Sequence, residues 1–427
     1  MENSIVNIFN QEVEWLDHLF SKGLSTIHFK RARLIFYKVE KDVSVDIMGT
    51  GYVSIEKSKT AVYFYGPLDR LDKDFPSKFR IIASDAFNNI YRLQARFTQG
   101  TSSDSKFEII GETDRIQAQT TLESHPKPGR AEYTLSIPKD YVFPFSKLVE
   151  IEHSFKQNVI RQERKLDGYY GELGQLEVEV TRYSHFTKVH ICITEVDEPL
   201  SFWDCVEEAL EYTLGLPIFA LYSRVRCGHS KFLLIRPIEA YIYPGQGTSP
   251  INIRSDTTGF IQSFSEFLVY SKNNSNVDRR SDLHMLVHDV YSASLSYISV
   301  QVVHLCFSIE WLARKIMNTY RSERCFSKDE TKGVIKAVRE LELGEPKTNR
   351  LIGLLSLCKT PSTTEYLTVI REMNVISDDH IRVWKKYRHK SAHGHLVDTP
   401  MPELSKDRFL LLSMFHALVR QVIRDAK

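Results

Sequence analysis

A basic stretch near the C-terminus, residues 384–395, holds the residue types of this chain that are best suited to chemistry. Arg388 and His393 are separated by four residues, and the segment 381–390 contains five basic residues and no acidic one. A guanidinium binds phosphate through two parallel hydrogen bonds and stays charged at any accessible pH. An imidazole titrates near neutrality and can move a proton. The pair therefore suits the handling of a phosphodiester.

The position of this pair relative to a helix end decides whether the two side chains meet. Gly394 directly follows His393, and a glycine after a helical segment commonly ends the helix. We therefore expect a helix that carries Arg388 to end near His393, with arginine and histidine side by side in a positive field. Spacing alone favours the ordinary interpretation, in which the histidine is a surface or capping residue and the lysines and arginines form a solvated face.

Length, composition and cysteine usage indicate a soluble protein of several domains. The chain has 427 residues, 42% of them hydrophobic and 26% charged, so we expect two or three domains. The net charge of +2 means that any basic binding surface must be local. The six cysteines are scattered without a C-x-x-C pair, which argues against a zinc cluster and a disulfide framework and fits a reducing cytoplasm.

We also predict a cytoplasmic location without membrane association. The first residues show no signal-peptide pattern, and the longest apolar stretch, 297–307, is interrupted by Gln301 and His304 and is too short for a bilayer.

The N-terminal part, residues 1–197, is predicted to be a mainly antiparallel β domain, either a sandwich or an open barrel. Its strand-like segments are rich in β-branched and aromatic residues and lie at 33–37, 60–65, 79–82, 107–110, 176–180 and 190–193. Turn signals are found at 49–51, 66–67, 99–103 and 127–129. A short amphipathic helix is expected within residues 1–24, with Val13, Leu16 and Leu19-Phe20 on one side.

Residues 198–280 are predicted to be a connecting α/β region. A helix over 202–214 is ended by Gly215 and Pro217, and strand-like runs follow at 219–222 and 232–235. A loop begins at 244 and continues through 255, and the polar segment 271–280 is the best candidate for a linker.

Residues 281–427 are predicted to form a helical bundle, which makes the whole chain an α+β multidomain protein. Apolar residues recur at alternating spacings of four and three from Tyr291 to Ile316, which predicts one long apolar seam packed against helical neighbours. Further helices are expected over 351–357 and 366–373, through Ile381 and Tyr387 after Asp378-Asp379, and over 409–423.

Several common chemistries have no motif in this chain. No P-loop, no H-E-x-x-H and no G-x-S-x-G occurs. His389, His393 and His395 are surrounded by cationic side chains, which disfavour a metal ion. We therefore expect no metal and no cofactor.

The segment Arg388-His389-x-x-x-His393 resembles the arginine–histidine signature of HEPN domains, small helical bundles common in prokaryotic defence systems. In that signature the residue after the arginine is usually Asn, Asp or His, and His389 complies. HEPN bundles often carry a glutamate within an upstream apolar helix, and Phe307–Leu312, which contains Glu310, is similar to that segment. The order of a β-rich half before a helical domain resembles the ApeA-type anti-phage proteins. The C-terminal bundle is accordingly expected to be HEPN-like.

The resemblance implies a metal-independent endoribonuclease, in which the ribose 2′-hydroxyl attacks the adjacent phosphate and leaves a 2′,3′-cyclic phosphate. His393 would be the general base or acid, and Arg388 would bind the scissile phosphate. His389 would orient the pair or contact the phosphate.

The resemblance also suggests residues around this pair. Lys385, Lys386 and Lys390 would line the RNA path. Glu310 would be either a buried partner of Arg388 or an exposed helix glutamate. Trp384 and Tyr387 would either stack on bases or belong to the core.

HEPN nucleases usually act as dimers, so the resemblance implies a homodimer through the helical domain. The N-terminal domain would sense a phage product or hold the nuclease inactive, in a defence that works by abortive infection. Two alternatives stay open. One is a non-catalytic HEPN module that binds RNA, a nucleotide or a partner protein. The other is the toxin of a HEPN–nucleotidyltransferase toxin–antitoxin pair, although such toxins tend to be shorter.

Overall fold

The computed structural model divides the chain into two compact units, Met1–Arg280 and Ser281–Lys427. The second unit has the bounds of the helical domain defined in the sequence analysis. The structure describes residues 9, 12–22, 24–38, 43–56, 60–67, 77–102, 106–121, 130–138, 141–144, 147–155, 158–194, 202–218, 220–227, 230–236, 248–252, 256–275, 280–318, 328–341, 343–357, 361–392 and 399–426.

The first unit is built mainly of strands. Its elements, in chain order, are α1 Glu12–Lys22, β1 Leu24–Lys38, β2 Val43–Glu56, β3 Thr60–Pro67, β4 Lys78–Ser84, β5 Ile90–Ser102, β6 Lys106–Thr113, β7 Ile116–Thr121, β8 Arg130–Pro138, β9 Lys147–Phe155, β10 Asn158–Leu173, β11 Leu176–Arg182, β12 Phe186–Thr194, α2 Phe202–Leu214, β13 Tyr222–Cys227, β14 Ser230–Ile235 and α3 Thr257–Asn274.

These strands form one antiparallel sheet in the order β4-β1-β2-β3-β6-β5-β7-β14-β13-β8-β12-β11-β10-β9. Strand β4 also pairs with β5, so the first six strands of this order close into a barrel. The expected antiparallel β domain is confirmed, with a closed barrel instead of an open one. Closure is possible because β5 is long: one edge pairs with β4, and the other edge pairs with both β6 and β7.

Strands β13 and β14 belong to this sheet, although the sequence analysis placed 198–280 in a connecting region, and the strand expected over 219–222 begins only at Tyr222. They lie between β7 and β8 and pair with both. Helices α2 and α3 also belong to the first compact unit.

Strict alternation of side chains decides what lies inside the barrel. Along β4, Phe79, Ile81 and Ala83 are buried, while Arg80 and Ile82 between them are exposed. The inward side chains share one core with apolar residues of α1, including Trp15, Leu16 and Leu19. The amphipathic helix expected near the N-terminus is therefore present.

The predicted turn at 49–51 is wrong, because these residues lie inside β2. A Cβ atom on Gly49 or Gly51 would collide with a backbone carbonyl oxygen of β3, at Tyr65 and Tyr63 respectively. The glycines therefore permit close approach of two strands, and they do not mark a reversal of the chain. Residues 99–102 likewise belong to β5, whereas 127–129 lies outside the described residues.

Helix α3 was missed, and it absorbs part of the expected linker 271–280. Asp256 caps the helix, since its Oδ1 accepts a hydrogen bond of 2.7 Å from the Gly259 amide. Phe260, Phe264 and Phe267 are buried along one side. The helix extends to Asn274, so the polar residues after Ser271 form its last turn.

The second unit is helical. Its described elements are α4 Asp282–Ala293, α5 Ile298–Ile316, α6 Lys328–Glu340, α7 Glu345–Leu357, α8 Thr363–Glu372, α9 Asp378–Ala392 and α10 Met401–Asp425. Helix α5 contacts α4, α8, α9 and α10, whereas α6 packs against α7. None of the described helices is both long and apolar enough to cross a lipid bilayer.

The long apolar seam is divided between two helices. Residues 294–297 separate α4 from α5, and the Ser294 hydroxyl donates a 2.6 Å hydrogen bond to the carbonyl of Tyr291. Serine competes in this way with the backbone hydrogen bonds of a helix. The seam still packs as a core on both sides of the break, since Tyr291, Val302 and Leu305 are fully buried.

Candidate functional site

Buried aromatic residues fix the rotation of α9 against its neighbours. Trp384 donates from Nε1 to the carbonyl of Cys306 on α5 at 3.3 Å, and Tyr387 is completely buried. Both residues therefore belong to the core, the second of the two roles that the sequence left open. Arg388 follows Tyr387 directly and is brought against the surface of α5.

Arg388 is bound by Glu310 of α5. Its Nε donates a hydrogen bond to Glu310 Oε1, and the side chains are 33% and 14% exposed, respectively. Glu310 could have been an exposed helix glutamate or a partner of Arg388, and the structure shows that it contacts Arg388. An arginine held through Nε keeps the four N–H donors of its two terminal nitrogens outside this bond.

Two further residues of α5 complete the surroundings of Arg388. Its guanidinium lies over the ring of Phe307, with 5.3 Å between the central carbon and the ring centroid. Arg314 lies one turn beyond Glu310, with Nη2 at 4.0 Å from Glu310 Oε2. Glu310 thus lies between two guanidinium groups, although Arg314 is 67% exposed and its ion pair is worth little.

This arrangement can bind an anion at a defined point. The carboxylate and the ring restrain the guanidinium from two directions, while a third of the side chain is open to solvent. A restrained guanidinium binds phosphate or carboxylate oxygens with less loss of side-chain entropy than a freely rotating one.

Lys386 was expected to line the RNA path, but in the structure it contacts carboxylates of α10. Its Nζ donates hydrogen bonds of 2.6 Å to both Glu403 and Asp407 on α10, and Asp407 also accepts 3.0 Å from Tyr387. Burial by itself lowers the pKa of Lys386, but the bonds to Asp407 and Glu403 raise it above the ordinary value. Two carboxylates therefore neutralise this charge, and the contact of Lys386 with RNA stays a prediction.

The other residues expected at the site are only partly described. Lys385 and His389 are exposed on α9, four residues apart and therefore on one face. Lys390 belongs to α9, but its side chain lies outside the described residues, as do His393 and His395 entirely. Helix α9 is described through Ala392.

Comparison of the chain with protein-family models, curated proteins and solved structures gave no match. The functional argument for this site therefore rests on residue chemistry and geometry.

Sequence reasoning found Arg388 and Glu310 but gave no role to two of their neighbours, Phe307 and Arg314, or to Asp407, which contacts Lys386 and Tyr387. Phe307 and Arg314 lie at helical spacing around Glu310, so a helical projection of α5 would have placed all three on one face. Asp407 carries no such signal, because its contacts with Lys386 and Tyr387 join residues about twenty positions apart in the chain.

Proposed function

We propose that this chain is a metal-independent endoribonuclease of the HEPN type that acts in anti-phage defence. Arg388 would bind the scissile phosphate, and His393 would transfer the proton as the ribose 2′-hydroxyl attacks. The bond between phosphorus and the 5′-oxygen of the next nucleotide breaks, that oxygen takes up a proton to become a 5′-hydroxyl, and a 2′,3′-cyclic phosphate end remains. Such a reaction needs no metal ion, since the nucleophile comes from the RNA itself.

The contact between Arg388 and Glu310 supports this proposal most directly. It holds a partly exposed guanidinium five positions before a histidine, on a helix whose other face is buried. The contact joins the glutamate of one part of the HEPN resemblance to the arginine of the other part. An ordinary helix–helix ion pair is the competing interpretation, and it requires no particular residue at 393.

The decisive experiment is RNA cleavage in the presence of EDTA by the wild type, Arg388→Ala and His393→Ala. We expect each substitution to reduce the cleavage rate at least a hundredfold, because Arg388→Ala removes the group that offsets charge in the transition state and His393→Ala removes the group that transfers the proton. Arg382→Ala is the matched control: Arg382 lies on the same helix, is 74% exposed and pairs with Asp379. It should cleave RNA like the wild type.

The chemistry of the products gives a second test. Cells that express the chain should accumulate RNA fragments with 2′,3′-cyclic phosphate ends during phage infection, and the Arg388→Ala strain should not. Cleavage that survives both substitutions would exclude the proposed site. Absence of new RNA ends in infected and uninfected cells alike would favour the non-catalytic HEPN module.

A further inference from the structure

The outer surface of the barrel carries a concentration of positive charge that the nuclease proposal does not use. We call it the basic face and define it by six exposed residues of β1, β4 and β5: Lys30, Arg31, Lys78, Arg80, Arg92 and Arg96. Lys30 and Arg31 are consecutive, yet both point outward, because the register of β1 against β2 shifts between Phe29 and Ala32. Such a bulge places two successive side chains on one side of a strand.

The strand register makes these residues neighbours. Lys78 lies opposite Arg96, and Ile82 lies opposite Arg92 on one side and Arg33 on the other. Adjacent strands are about 4.8 Å apart. Several cationic groups are therefore collected on three adjoining strands of a chain whose net charge is only +2.

Little of this charge is neutralised within the protein. Arg33, on the same side of β1, is bound by Asp46, with Nε at 2.7 Å from Oδ1, and is left out of the basic face for that reason. Arg92 donates to the Gln119 side chain at 3.3 Å, and Glu112 lies opposite Arg96 across β5 and β6. Across the described part of the chain, the structure has no ion pair for any of the six residues.

A row of aromatic side chains adjoins the basic face. We call His28, Tyr52, Tyr63 and Tyr65, on β1, β2 and β3, the aromatic row. The rings of Tyr52 and Tyr63 are stacked with centroids 4.3 Å apart, Tyr65 lies 6.3 Å from Tyr52, and His28 lies 5.8 Å from Tyr52. His28 is exposed and the tyrosines are half-buried. Cross-strand aromatic pairs stabilise sheets, but they do not require cationic residues beside them.

We propose that the basic face and the aromatic row together bind single-stranded nucleic acid. The cationic side chains would contact successive phosphates, and unpaired bases would stack on the aromatic rings. His28 lies two residues before Lys30 on β1, so a strand that crosses from β3 to β5 would meet rings first and cations next. A duplex keeps its bases stacked internally and could use only the cations. This site is independent of Arg388 and therefore of the nuclease proposal.

The test is fluorescence anisotropy of the full chain with labelled oligonucleotides of about 15 nucleotides, a length within the range that single barrels of this size cover. The probes are oligo-dT, oligo-U and a duplex of equal length, together with labelled polyglutamate as a polyanion without bases, all in EDTA. The oligo-U measurement uses the Arg388→Ala chain, which prevents cleavage of the probe. We expect single strands to bind at least tenfold more tightly than the duplex.

Charge reversal identifies the surface. Arg31→Glu and Arg80→Glu should each weaken binding about tenfold or more, and each should reduce the slope of log K against log salt by about 0.7. Lys272→Glu, an exposed charge reversal on α3 of the same unit, is the control and should bind like the wild type.

The aromatic row has its own pair of variants. Tyr52→Leu should weaken oligo-dT binding about tenfold because it removes a stacking ring, whereas Tyr52→Phe should bind normally. Thermal unfolding of every variant shows whether the barrel is intact. If Tyr52→Leu lowers the unfolding temperature of the barrel, Tyr63→Leu is used instead, with Tyr63→Phe as its control.

The outcomes separate the possible ligands. Equal affinity for oligo-dT and oligo-U supports a general single-strand site, and a tenfold preference for oligo-U assigns it to RNA. Equal binding of the duplex or of polyglutamate would overturn the proposal in favour of a nonspecific polyanion or an acidic protein. Unchanged binding by Arg31→Glu and Arg80→Glu, or no binding of any single strand at low salt, would also overturn it.

Discussion

At the scale of single residues, Glu310 determines how Arg388 can act. The carboxylate accepts the hydrogen bond that Arg388 donates from Nε, so the N–H groups of the two terminal nitrogens lie outside this bond and can bind another anion. We predict that Glu310→Gln reduces RNA cleavage about ten- to a hundredfold, because the guanidinium loses its orienting charge. Arg388→Lys should not support cleavage, since an ammonium group lacks the planar fork. Single-turnover cleavage rates measure both effects.

Two observations would distinguish orientation by Glu310 from simple stability. Glu310→Gln should keep its thermal unfolding temperature within a few degrees of the wild type and should lose rate more than RNA affinity. An equal loss of rate and stability would contradict a positioning role. Arg314→Ala is the matched control, because it removes the weaker and more exposed partner of the same carboxylate.

His416 makes the helical unit sensitive to acid. It is buried on α10, with Nε2 at 3.3 Å from the Tyr291 hydroxyl, and burial followed by the charge of Arg420 lowers its pKa to about 3. Unfolding exposes an imidazole that is protonated below its ordinary pKa of 6.5. The unfolded state therefore gains protons as the pH falls from 6.5 towards 3, and the free energy of unfolding decreases over that window.

We predict that, because of His416, the free energy of unfolding falls by about 2 kcal/mol when the pH is lowered from 7 to 5. His416→Gln keeps a polar partner for Tyr291 but does not titrate, so its loss of stability over this range should be smaller by that amount. Urea unfolding at the two pH values measures the difference. His304→Gln, which removes an exposed histidine of α5, is the matched control.

At the scale of elements, the position of α9 depends on Trp384. The indole is buried and donates to the Cys306 carbonyl. We predict that Trp384→Ala destabilises the helical unit by about 3–5 kcal/mol, while Trp384→Phe, which keeps an aromatic ring but loses the hydrogen bond and part of the indole, costs about 1–2 kcal/mol. Urea unfolding followed by circular dichroism tests this order. Lys385→Ala on the exposed side of α9 should have little effect, and an equal effect would argue against Trp384 as the anchor.

At the scale of the whole molecule, each chain carries one motif of the form Arg-His-x-x-x-His, at 388–393, and the proposed chemistry needs both a base and an acid. We therefore predict a homodimer of twice 49.5 kDa through the helical unit. A tenfold excess of Arg388→Ala, equilibrated with the wild type, should suppress wild-type cleavage because mixed dimers form. Light scattering gives the mass. An active monomer whose rate is unaffected by the inactive variant would exclude a shared site.

Short-range residue patterns in the sequence predicted most of the helices and many of the strands. The predicted helix over 202–214 has the bounds of α2, because an apolar face is followed directly by Gly215 and Pro217. The strand segments from 60–65 to 190–193 were recognised from β-branched and aromatic residues, which pack well on a pleated surface. The arginine–histidine motif and its glutamate segment were also visible, because they depend on residue types and short spacings.

Contacts between distant residues decided the rest. Gly49 and Gly51 resemble a turn locally, yet they permit the close approach of β2 to β3 in the barrel. Whether Glu310 faces solvent or Arg388, 78 positions away, depends on the packing of α9 against α5. The basic face exists only because pairing of β1, β4 and β5 brings scattered arginines together. Short-range patterns determine which element a residue belongs to, but long-range packing determines what that residue meets, and no local pattern records such a contact.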